Sequence, residues 1–373
     1  MKGVENVMSK DVSQIDKNLA VPAEINAPDC VFYDVRKAPF KIYGLYNPRT
    51  EGAFRRLPEQ VAKEVSDDVF SLHTHTAGGR VRFSTDSEYV VIKSVVPSVT
   101  HFPHMPTTGV AGFDMYVSRN GREVFEKTFI PPYDMTDGFV SIYHFGNRKM
   151  REITINFPLY NPVDSLYIGL SKDALLADGE KYKYETPVVY YGSSITQGGC
   201  ASRPGNAYTA MISQMIGCEY INLGFSGSAK GEDSIMDYIA SLSMSAFVYD
   251  YDHNAYDYDR DYIVPDDEYL KKTHERGFLK IREKQPEVPV IFVTAPNDDM
   301  KNAQCRKNRA VIMKTYLNAI ERGDENVYFV DGASIFDGDI ANSCTVDGCH
   351  PTDVGFLRMA RSIGRVVAYV LEK

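Results

Sequence analysis

Hydrophobic and polar positions follow two different patterns along the chain, and the change falls near Tyr184. From about residue 31 to residue 170, short runs alternate with a period of two, most clearly over 151–157, where two isoleucines and a phenylalanine share one face. Asn120 and Gly121 separate two such runs and indicate a hairpin turn, because both residues tolerate positive φ. Short strands with many turns and almost no helix predict an antiparallel β-sandwich.

After Tyr184 the predicted strands are apolar along their length and alternate with helical stretches. The strands are expected over 188–191, 219–222, 246–251, 288–294 and 327–331, and the helices over 208–216, 235–242, 269–284, 303–322 and 354–371. Alternating strands and helices predict a parallel sheet with helices on both faces. Ligands of such sheets bind beyond the carboxyl ends of the strands, so residues that directly follow each strand are the first candidates for a site.

These patterns divide the chain into a tail and two predicted domains. We expect a tail over 1–24, a β-sandwich domain over 25–180 and an α/β domain over 181–373, and 373 residues are enough for two domains. The hydrophobic content of 43% allows a sizeable core and argues against global disorder.

Charge and composition argue against several classes of function. The formal charge is 41 − 50 = −9, which disfavours nucleic acid and anionic membrane as main partners, because both favour basic surfaces. No apolar run approaches the roughly 20 residues of a membrane span. Residues 1–20 lack the apolar core of a signal peptide, so we expect a cytoplasmic protein. The six cysteines form no CxxC pair and no metal-ligand spacing, which favours ordinary thiols without a disulfide framework or a bound metal.

Two segments contain the residue types of nucleophilic acyl transfer. Gly192-Ser193-Ser194 directly follows the first predicted strand of the second domain, and glycine allows the tight turn that exposes a serine hydroxyl. Asp347 and His350 lie near the C-terminus, at a spacing that lets one short loop present a base and its orienting carboxylate. We predict Ser194 as the nucleophile, His350 as the base that takes its proton, and Asp347 as the acid that holds the histidine tautomer.

Stabilisation of the developing oxyanion requires hydrogen-bond donors that are already in place. We predict that these donors are the backbone N–H groups of Ser194 and Gly227 and the side-chain amide of Asn254. Gly227 follows the second predicted strand, where glycine lets a backbone N–H approach a ligand closely, and Asn254 follows the third. The order along the chain is Ser, Gly, Asn, Asp, His, which differs from the G-x-S-x-G hydrolases, in which the acid lies well before the histidine.

These segments resemble the four sequence blocks of the SGNH (GDSL-type) hydrolase superfamily. The matching residues are, in block order, 192–196, 222–227, Asn254, and the pair Asp347 and His350. The resemblance covers roughly residues 186–373. It implies a flavodoxin-like domain built on the five parallel strands above, with Ser-His-Asp ester hydrolysis that needs no cofactor or metal.

Two positions depart from the family pattern. The first block usually has aspartate before the nucleophile, where this chain has Ser193. The third block usually reads Gly-x-Asn-Asp, where residues 252–255 read Asp-His-Asn-Ala. Because that aspartate generally supports the turn, we expect Ser193 to affect the turn and not the chemistry.

The first half of the chain carries a further resemblance. Residues 112–116, Gly-Phe-Asp-Met-Tyr, resemble the Gly-x-Asp-Leu-Tyr signature of a β-sandwich domain that precedes some SGNH esterases. The overall plan is also similar to two-domain carbohydrate esterases with an N-terminal jelly roll. The resemblances together imply a serine esterase that removes short acyl groups, acetyl above all, from oligosaccharides.

Two other functions remain open at this point. A lipase or thioesterase of the same superfamily would act on longer acyl chains, and a non-catalytic glycan-binding protein would use the β-sandwich with the second domain as a scaffold. The sequence leaves the sugar, the acyl position and the oligomeric state undetermined, and a neighbouring chain of a homo-oligomer could complete the pocket.

Histidines of the first domain invite a metal-site interpretation. They are His73, His75, His101 and His104. No carboxylate or cysteine partner set is evident beside them, so we expect surface or loop histidines. The loop over 97–111 is long enough to reach the active site from the first domain.

Two further features also allow two interpretations each. The Asp- and Tyr-rich run over 249–262 either borders the pocket, with tyrosines that stack on sugar rings, or forms a solvated acidic loop. Cys349, next to His350, has no separate base in the sequence, so we expect a small buried residue and not a nucleophile.

Overall fold

The structure is a computed structural model that describes residues 25–255, 267–296 and 303–373. Its first half contains two antiparallel sheets, which confirms the predicted class of this region. The strands are β1 (Cys30–Asp34), β2 (Lys41–Tyr43), β3 (Arg80–Thr85), β4 (Tyr89–Val95), β5 (Phe113–Arg119), β6 (Arg122–Phe129), β7 (Gly138–His144), β8 (Arg151–Asn156), β9 (Ser165–Ser171) and β10 (Leu176–Asp178). One sheet has the order β1-β9-β4-β7, and the other has the order β10-β3-β8-β5-β6, with β2 paired to β3.

The β5–β6 hairpin turns at Asn120 and Gly121, as the sequence predicts. Their φ angles are 54° and 73°, and two consecutive positive values are what a two-residue type I′ turn requires. Arg119 and Arg122 pair directly across the turn, so the turn sets the register from which the hairpin extends.

Within the described part of the first half, from residue 25 onward, short helices interrupt the chain at three places that the strand pattern did not predict. They are α1 (Glu59–Val65), α2 (Asp67–Leu72) and α3 (Thr107–Val110). The longest has seven residues, which is two turns and too short for a helical period to stand out in the sequence. Local capping still defines one of them, because Ser66 Oγ accepts a hydrogen bond from the Val69 N–H at 3.1 Å at the start of α2.

The second antiparallel sheet also packs against the second half of the chain through Asp114, the acidic residue of the Gly-Phe-Asp-Met-Tyr segment. This side chain is fully buried. It accepts hydrogen bonds from Asn156 Nδ2 at 2.8 Å, from the Gly205 N–H at 2.8 Å and from Arg203 Nη1 at 2.9 Å. A buried carboxylate needs such donors to offset the loss of water, so Asp114 joins the two halves.

The second half contains a parallel sheet with helices on both faces, which confirms the predicted α/β class. Its strands are β11 (Tyr184–Gly192), β12 (Cys218–Gly224), β13 (Ala246–Asp250), β14 (Val290–Val293) and β15 (Val327–Val330), in the order β12-β11-β13-β14-β15. Its helices are α4 (Ser194–Gln197), α5 (Tyr208–Ile216), α6 (Asp233–Ser241), α7 (Asp267–Lys284), α8 (Ala303–Glu321) and α9 (Asp353–Glu372).

Alternate residues of β11 enter two different cores. Val188 and Tyr190 join the cluster that includes α5, α9 and the β domain, whereas Val189 and Tyr191 join the cluster beneath α6, α7 and α8. Burial on both faces explains why the strand reads as a continuous apolar run. No helix within the described ranges is both long and apolar enough to cross a membrane.

Candidate active site

The central strand β11 ends in a tight turn that leads into Ser194. A Cβ atom at Gly192 would overlap Thr196 Oγ1 and the carbonyl oxygen of Asp250, so only glycine fits at the end of the strand. Ser193 is the N-cap of α4, and its Oγ accepts a hydrogen bond from a backbone N–H of that helix at 3.2 Å. Position 193 therefore supports the turn, and Ser194 is the first residue of the helix.

His350 lies between Ser194 and Asp347. Ser194 Oγ is 2.9 Å from His350 Nε2, and His350 Nδ1 is 2.7 Å from Asp347 Oδ2. Because Nδ1 donates to the carboxylate, Nε2 is left to accept the serine proton, which is the tautomer that a general base needs. Ser194 is only 8% exposed, whereas Asp347 is exposed, so the serine lies deepest of the three.

The loop that contains Asp347 holds its carboxylate in place. Asp347 Oδ1 accepts hydrogen bonds from the N–H of Cys349 at 3.0 Å and the N–H of His350 at 2.7 Å. Partial burial opposes the negative charge, but the hydrogen bonds from the His350 side chain and from these N–H groups outweigh it and lower the pKa of Asp347 to about 2. The carboxylate therefore stays ionised across the physiological pH range.

The loops after β12 and β13 are joined to each other and to α4. Asn254 is 5% exposed, and its Nδ2 donates to the Phe225 carbonyl at 3.0 Å. Gly227 lies two residues beyond Phe225, with a φ of 69° that favours glycine. The Ser226 N–H donates to Gln197 Oε1 at 3.0 Å. The structure thus brings the predicted segments together at one end of the sheet, while the role of Gly227 and Asn254 as oxyanion donors remains a prediction.

A buried carboxyl group from the Asp- and Tyr-rich run, which the sequence did not single out individually, lies behind the nucleophile turn. Asp250 Oδ2 accepts hydrogen bonds from Tyr208 OH at 3.2 Å and from Thr196 Oγ1 at 3.3 Å. Burial, helped by the nearby charge of Asp252, raises the pKa of Asp250 to about 8. The carboxyl group is therefore mostly protonated near neutral pH, and it connects α4 to α5 without touching Ser194.

Residues of the first half of the chain form one side of the candidate site. Tyr160 OH donates to the Ser194 carbonyl at 3.1 Å. The ring of His104 lies 5.7 Å from that of His350, and the ring of Phe102 lies 5.5 Å from that of Tyr160. The loop that was expected to be long enough to reach the active site does reach it. His104 is an exposed loop histidine, as expected, but it lies beside the candidate base.

Arg56 of the first half of the chain supports the end of β12, and no motif in the sequence pointed to it. Its side chain is 1% exposed and donates to the carbonyl oxygens of Gly224 and, at 2.8 Å, Leu72. The guanidinium carbon also lies 4.4 Å from the centre of the Phe225 ring. Tyr160 and Arg56 thus contact the backbone at Ser194 and at the end of β12, although neither belongs to a recognisable motif.

The first residues of the Asp- and Tyr-rich run over 249–262 neither border the pocket as sugar-stacking rings nor form a solvated loop. Tyr249 and Tyr251 are 0% and 1% exposed, and their rings stack with centroids 4.9 Å apart. They therefore neither stack on sugars nor lie in a solvated loop, and residues 256–262 of the run lie outside the described residues. Cys349 is partly buried, and its Sγ lies 4.0 Å from His253 Nδ1.

Comparison with protein families finds a match for each half of the chain. Residues 185–368 match the GDSL-like lipase/acylhydrolase family, and residues 30–176 match the GxDLY domain, the N-terminus of SGNH-hydrolase-type esterases. The chain belongs to this family of SGNH (GDSL-type) hydrolases, which supports an ester hydrolase or acyl hydrolase activity. No match was found among curated protein sequences.

Solved structures share the two-part fold over most of the chain. A GDSL-like lipase from Bacteroides ovatus is 26% identical, with a TM-score of 0.81 over 92% of this chain and 98% of that one. The salicylyl-acyltransferase SsfX3 from a tetracycline biosynthetic pathway is 18% identical, with a TM-score of 0.73 over the same shares. A family two carbohydrate esterase from Cellvibrio japonicus is 10% identical, with a TM-score of 0.59, again over 92% and 98%. The last two likenesses concern the fold alone.

Proposed function

We propose that the protein is a serine esterase that removes short acyl groups, acetyl above all, from oligosaccharides. The observation that carries the proposal is the continuous contact from Ser194 Oγ to His350 Nε2 at 2.9 Å and from His350 Nδ1 to Asp347 Oδ2 at 2.7 Å. This is the arrangement that activates a serine hydroxyl, which is otherwise a poor nucleophile.

The reaction would proceed through an acyl-enzyme. Ser194 Oγ attacks the ester carbonyl while His350 Nε2 takes the serine proton, and Asp347 stabilises the resulting imidazolium. The tetrahedral oxyanion accepts hydrogen bonds from the N–H groups of Ser194 and Gly227 and from Asn254. Collapse of the intermediate releases the alcohol, which takes the proton from His350. Water, deprotonated by the same nitrogen, then releases the carboxylic acid and restores the serine.

The depth of the nucleophile supports a short acyl group. Ser194 is 8% exposed, and Gly199 lies beside it with little free space. A Cβ atom at Gly199 would lie 3.0 Å from Tyr160 OH, 3.2 Å from the Ser194 carbonyl oxygen and 3.3 Å from His350 Cδ2. A small acyl group fits such close surroundings more easily than a long chain.

A cavity on the first half of the chain supports a sugar as the alcohol part of the ester. A cavity of about 420 Å³ lies against the long loop of the first domain, and its lining combines aromatic rings with hydroxyl groups, among them Phe102, Tyr133, Thr100 and Thr107. Tyr133 is 86% exposed, so its ring is free to stack on a ligand. Carbohydrate esterases of family two share the fold, which adds support for this class of substrate.

Hydrolysis of 4-nitrophenyl acetate by the wild type and by Ser194→Ala tests the reaction class. We expect rapid hydrolysis that Ser194→Ala abolishes, while Ser193→Ala, the matched control, retains turnover and loses only about 1 kcal/mol of stability as a weakened cap. Equal rates for wild type and Ser194→Ala would contradict the proposal.

Two further assays separate the substrate classes. We expect a higher kcat/KM for the acetyl ester than for the octanoyl ester, and the reverse order would favour a lipase. Mass spectrometry of acetylated oligosaccharides before and after treatment should show loss of acetyl groups. Binding of the sugars without any such loss would favour a glycan-binding protein.

A further inference from the structure

Three side chains that commonly bind metal ions meet beside the nucleophile. One ring nitrogen of His104, one of His350 and the Sγ of Cys200 all lie within 4.8 Å of one another. They come from separate parts of the chain: the long loop of the first domain, the turn after α4 and the loop before α9. Imidazole and thiolate are the ligands that zinc prefers. We propose that these three residues form a binding site for a zinc-class divalent ion, and that an ion bound there inhibits the enzyme.

Inhibition follows from the hydrogen bonds of His350. Its Nδ1 is bonded to Asp347 Oδ2 at 2.7 Å, so Nε2 is the nitrogen that can bind an ion. A carboxylate behind a histidine is also the arrangement that orients histidine ligands in zinc sites. In the metal-free protein the same Nε2 lies 2.9 Å from Ser194 Oγ. A lone pair that binds a metal cannot accept the serine proton, so metal binding and catalysis exclude each other.

Cys200 has a fixed position at the buried side of this cluster. Its side chain belongs to the turn that ends α4, where the Gly199 N–H donates to the Ser194 carbonyl at 2.8 Å and the Ala201 N–H to the Gly198 carbonyl at 3.1 Å. Cys200 is 6% exposed. An ion that binds Sγ displaces the thiol proton to solvent and leaves a metal–thiolate bond, so no redox partner is needed.

His104 is the ligand that would move. Tetrahedral zinc with Zn–S of about 2.3 Å and Zn–N of about 2.0–2.1 Å requires ligand atoms roughly 3.3–3.6 Å apart. Atoms up to 4.8 Å apart must therefore approach by up to roughly 1.2–1.5 Å. His104 is exposed on the loop of the first domain, and a shift there disturbs less packing than a shift of the buried cysteine. The bound ion would also connect the two domains.

Titration with Co²⁺, a spectroscopic substitute for Zn²⁺, tests the site without reference to activity. We expect a thiolate-to-cobalt charge-transfer band in the wild-type protein, with a higher melting temperature because the ion connects two domains. Cys200→Ser should lose the band. His104→Gln should bind at least about 10-fold more weakly, since loss of even a partner behind a ligand typically weakens binding about 10–100-fold. His101→Gln, a neighbouring loop histidine outside the cluster, is the matched control and should bind as the wild type does.

Inhibition by Zn²⁺ is the second measurement, and it rests on the proposed esterase function. Each variant is compared with its own metal-free rate on 4-nitrophenyl acetate. We expect Zn²⁺ to inhibit the wild type and His101→Gln at the same concentrations. Inhibition of His104→Gln and Cys200→Ser should require Zn²⁺ concentrations at least about 10-fold higher. Mg²⁺ should have no effect on any of them.

The outcomes separate this proposal from the proposed function. A thiolate–cobalt band that requires Cys200 and weakens in His104→Gln supports the metal site even if no ester is hydrolysed. A band that persists in Cys200→Ser, the absence of any band, or equal zinc inhibition of all variants would overturn the proposal, whatever the esterase activity.

Discussion

The two halves of the chain contribute to the candidate active site in different ways. The second half supplies the proposed reacting groups, and each directly follows a strand of the parallel sheet or lies in one short loop, as Ser194 and His350 do. The first half supplies contacts from residues far from any motif, such as Tyr160 to the Ser194 carbonyl and Arg56 to the Gly224 carbonyl. The proposed reacting groups therefore belong to short sequence motifs, whereas the residues that hold the backbone around them are brought there by tertiary packing.

The largest effects should come from the reacting groups of the second half, which act as a unit. We expect Ser194→Ala and His350→Ala each to lower kcat on the order of 10⁴-fold or more, and the double variant to lose no more than either single variant. Asp347→Asn should lower kcat by about 10³–10⁴-fold, because the amide favours the wrong histidine tautomer. Steady-state kinetics on 4-nitrophenyl acetate measure the loss in each of the four variants. Additive losses in the double variant would show that serine and histidine act independently.

Asn254→Ala should have the next largest effect. Loss of one oxyanion donor typically lowers kcat by about 10²–10³-fold while KM changes little. The amide also donates to the Phe225 carbonyl at 3.0 Å, so a purely structural role is the competing explanation. The melting temperature distinguishes the two. A loss of stability with kcat nearly unchanged would show that Asn254 only braces the loop.

Tyr160→Phe probes the contribution of the first half and should be much milder. The variant removes the hydrogen bond to the Ser194 carbonyl at 3.1 Å but keeps the ring. One such bond contributes about 1 kcal/mol. We therefore expect kcat/KM to fall about fivefold and the free energy of unfolding to fall by about 1 kcal/mol. Tyr369→Phe is the control, because that tyrosine is 59% exposed on α9. A loss as large as that of Ser194→Ala would place Tyr160 among the reacting groups.

Asp250→Asn should change how the stability of the folded protein depends on pH. It should leave the rate of ester hydrolysis near neutral pH almost unaltered. The folded pKa of about 8 lies above the ordinary carboxyl value of 3.8. Folding therefore favours the protonated form, and its contribution to stability is complete below pH 3.8 and is lost as the pH rises towards 8. We expect the wild type to lose stability relative to Asp250→Asn over this range and to level off above it. Denaturant unfolding from pH 5 to pH 9 measures the difference, and a difference that stays constant would contradict the assigned protonation.

The features of the molecule that could be predicted from the sequence are those with a local pattern. The parallel sheet follows from long apolar strands separated by helices, and the Asn120–Gly121 hairpin follows from local φ preferences. Ser194, Asp347 and His350 could be chosen because each stands in a short pattern at the end of an element. The structure brings them within hydrogen-bond distance, at 2.9 Å and 2.7 Å.

The features that could not be predicted from the sequence depend on contacts between distant segments of the chain. Asp250 is buried between α4 and α5, and nothing beside it in the sequence indicates a protonated carboxyl group. His104 lies next to His350 only because the long loop of the first half of the chain packs beside the loop before α9. Residues such as these carry no local signal, since their surroundings are created by the tertiary fold.

Covalent labelling with a fluorophosphonate, followed by peptide mass spectrometry, tests whether Ser194 is an activated nucleophile. We predict one adduct on Ser194, no adduct in Ser194→Ala, and much slower labelling in His350→Ala. An adduct on Ser193 or Cys349, or a wild-type protein that does not react while it remains folded, would contradict the proposed mechanism.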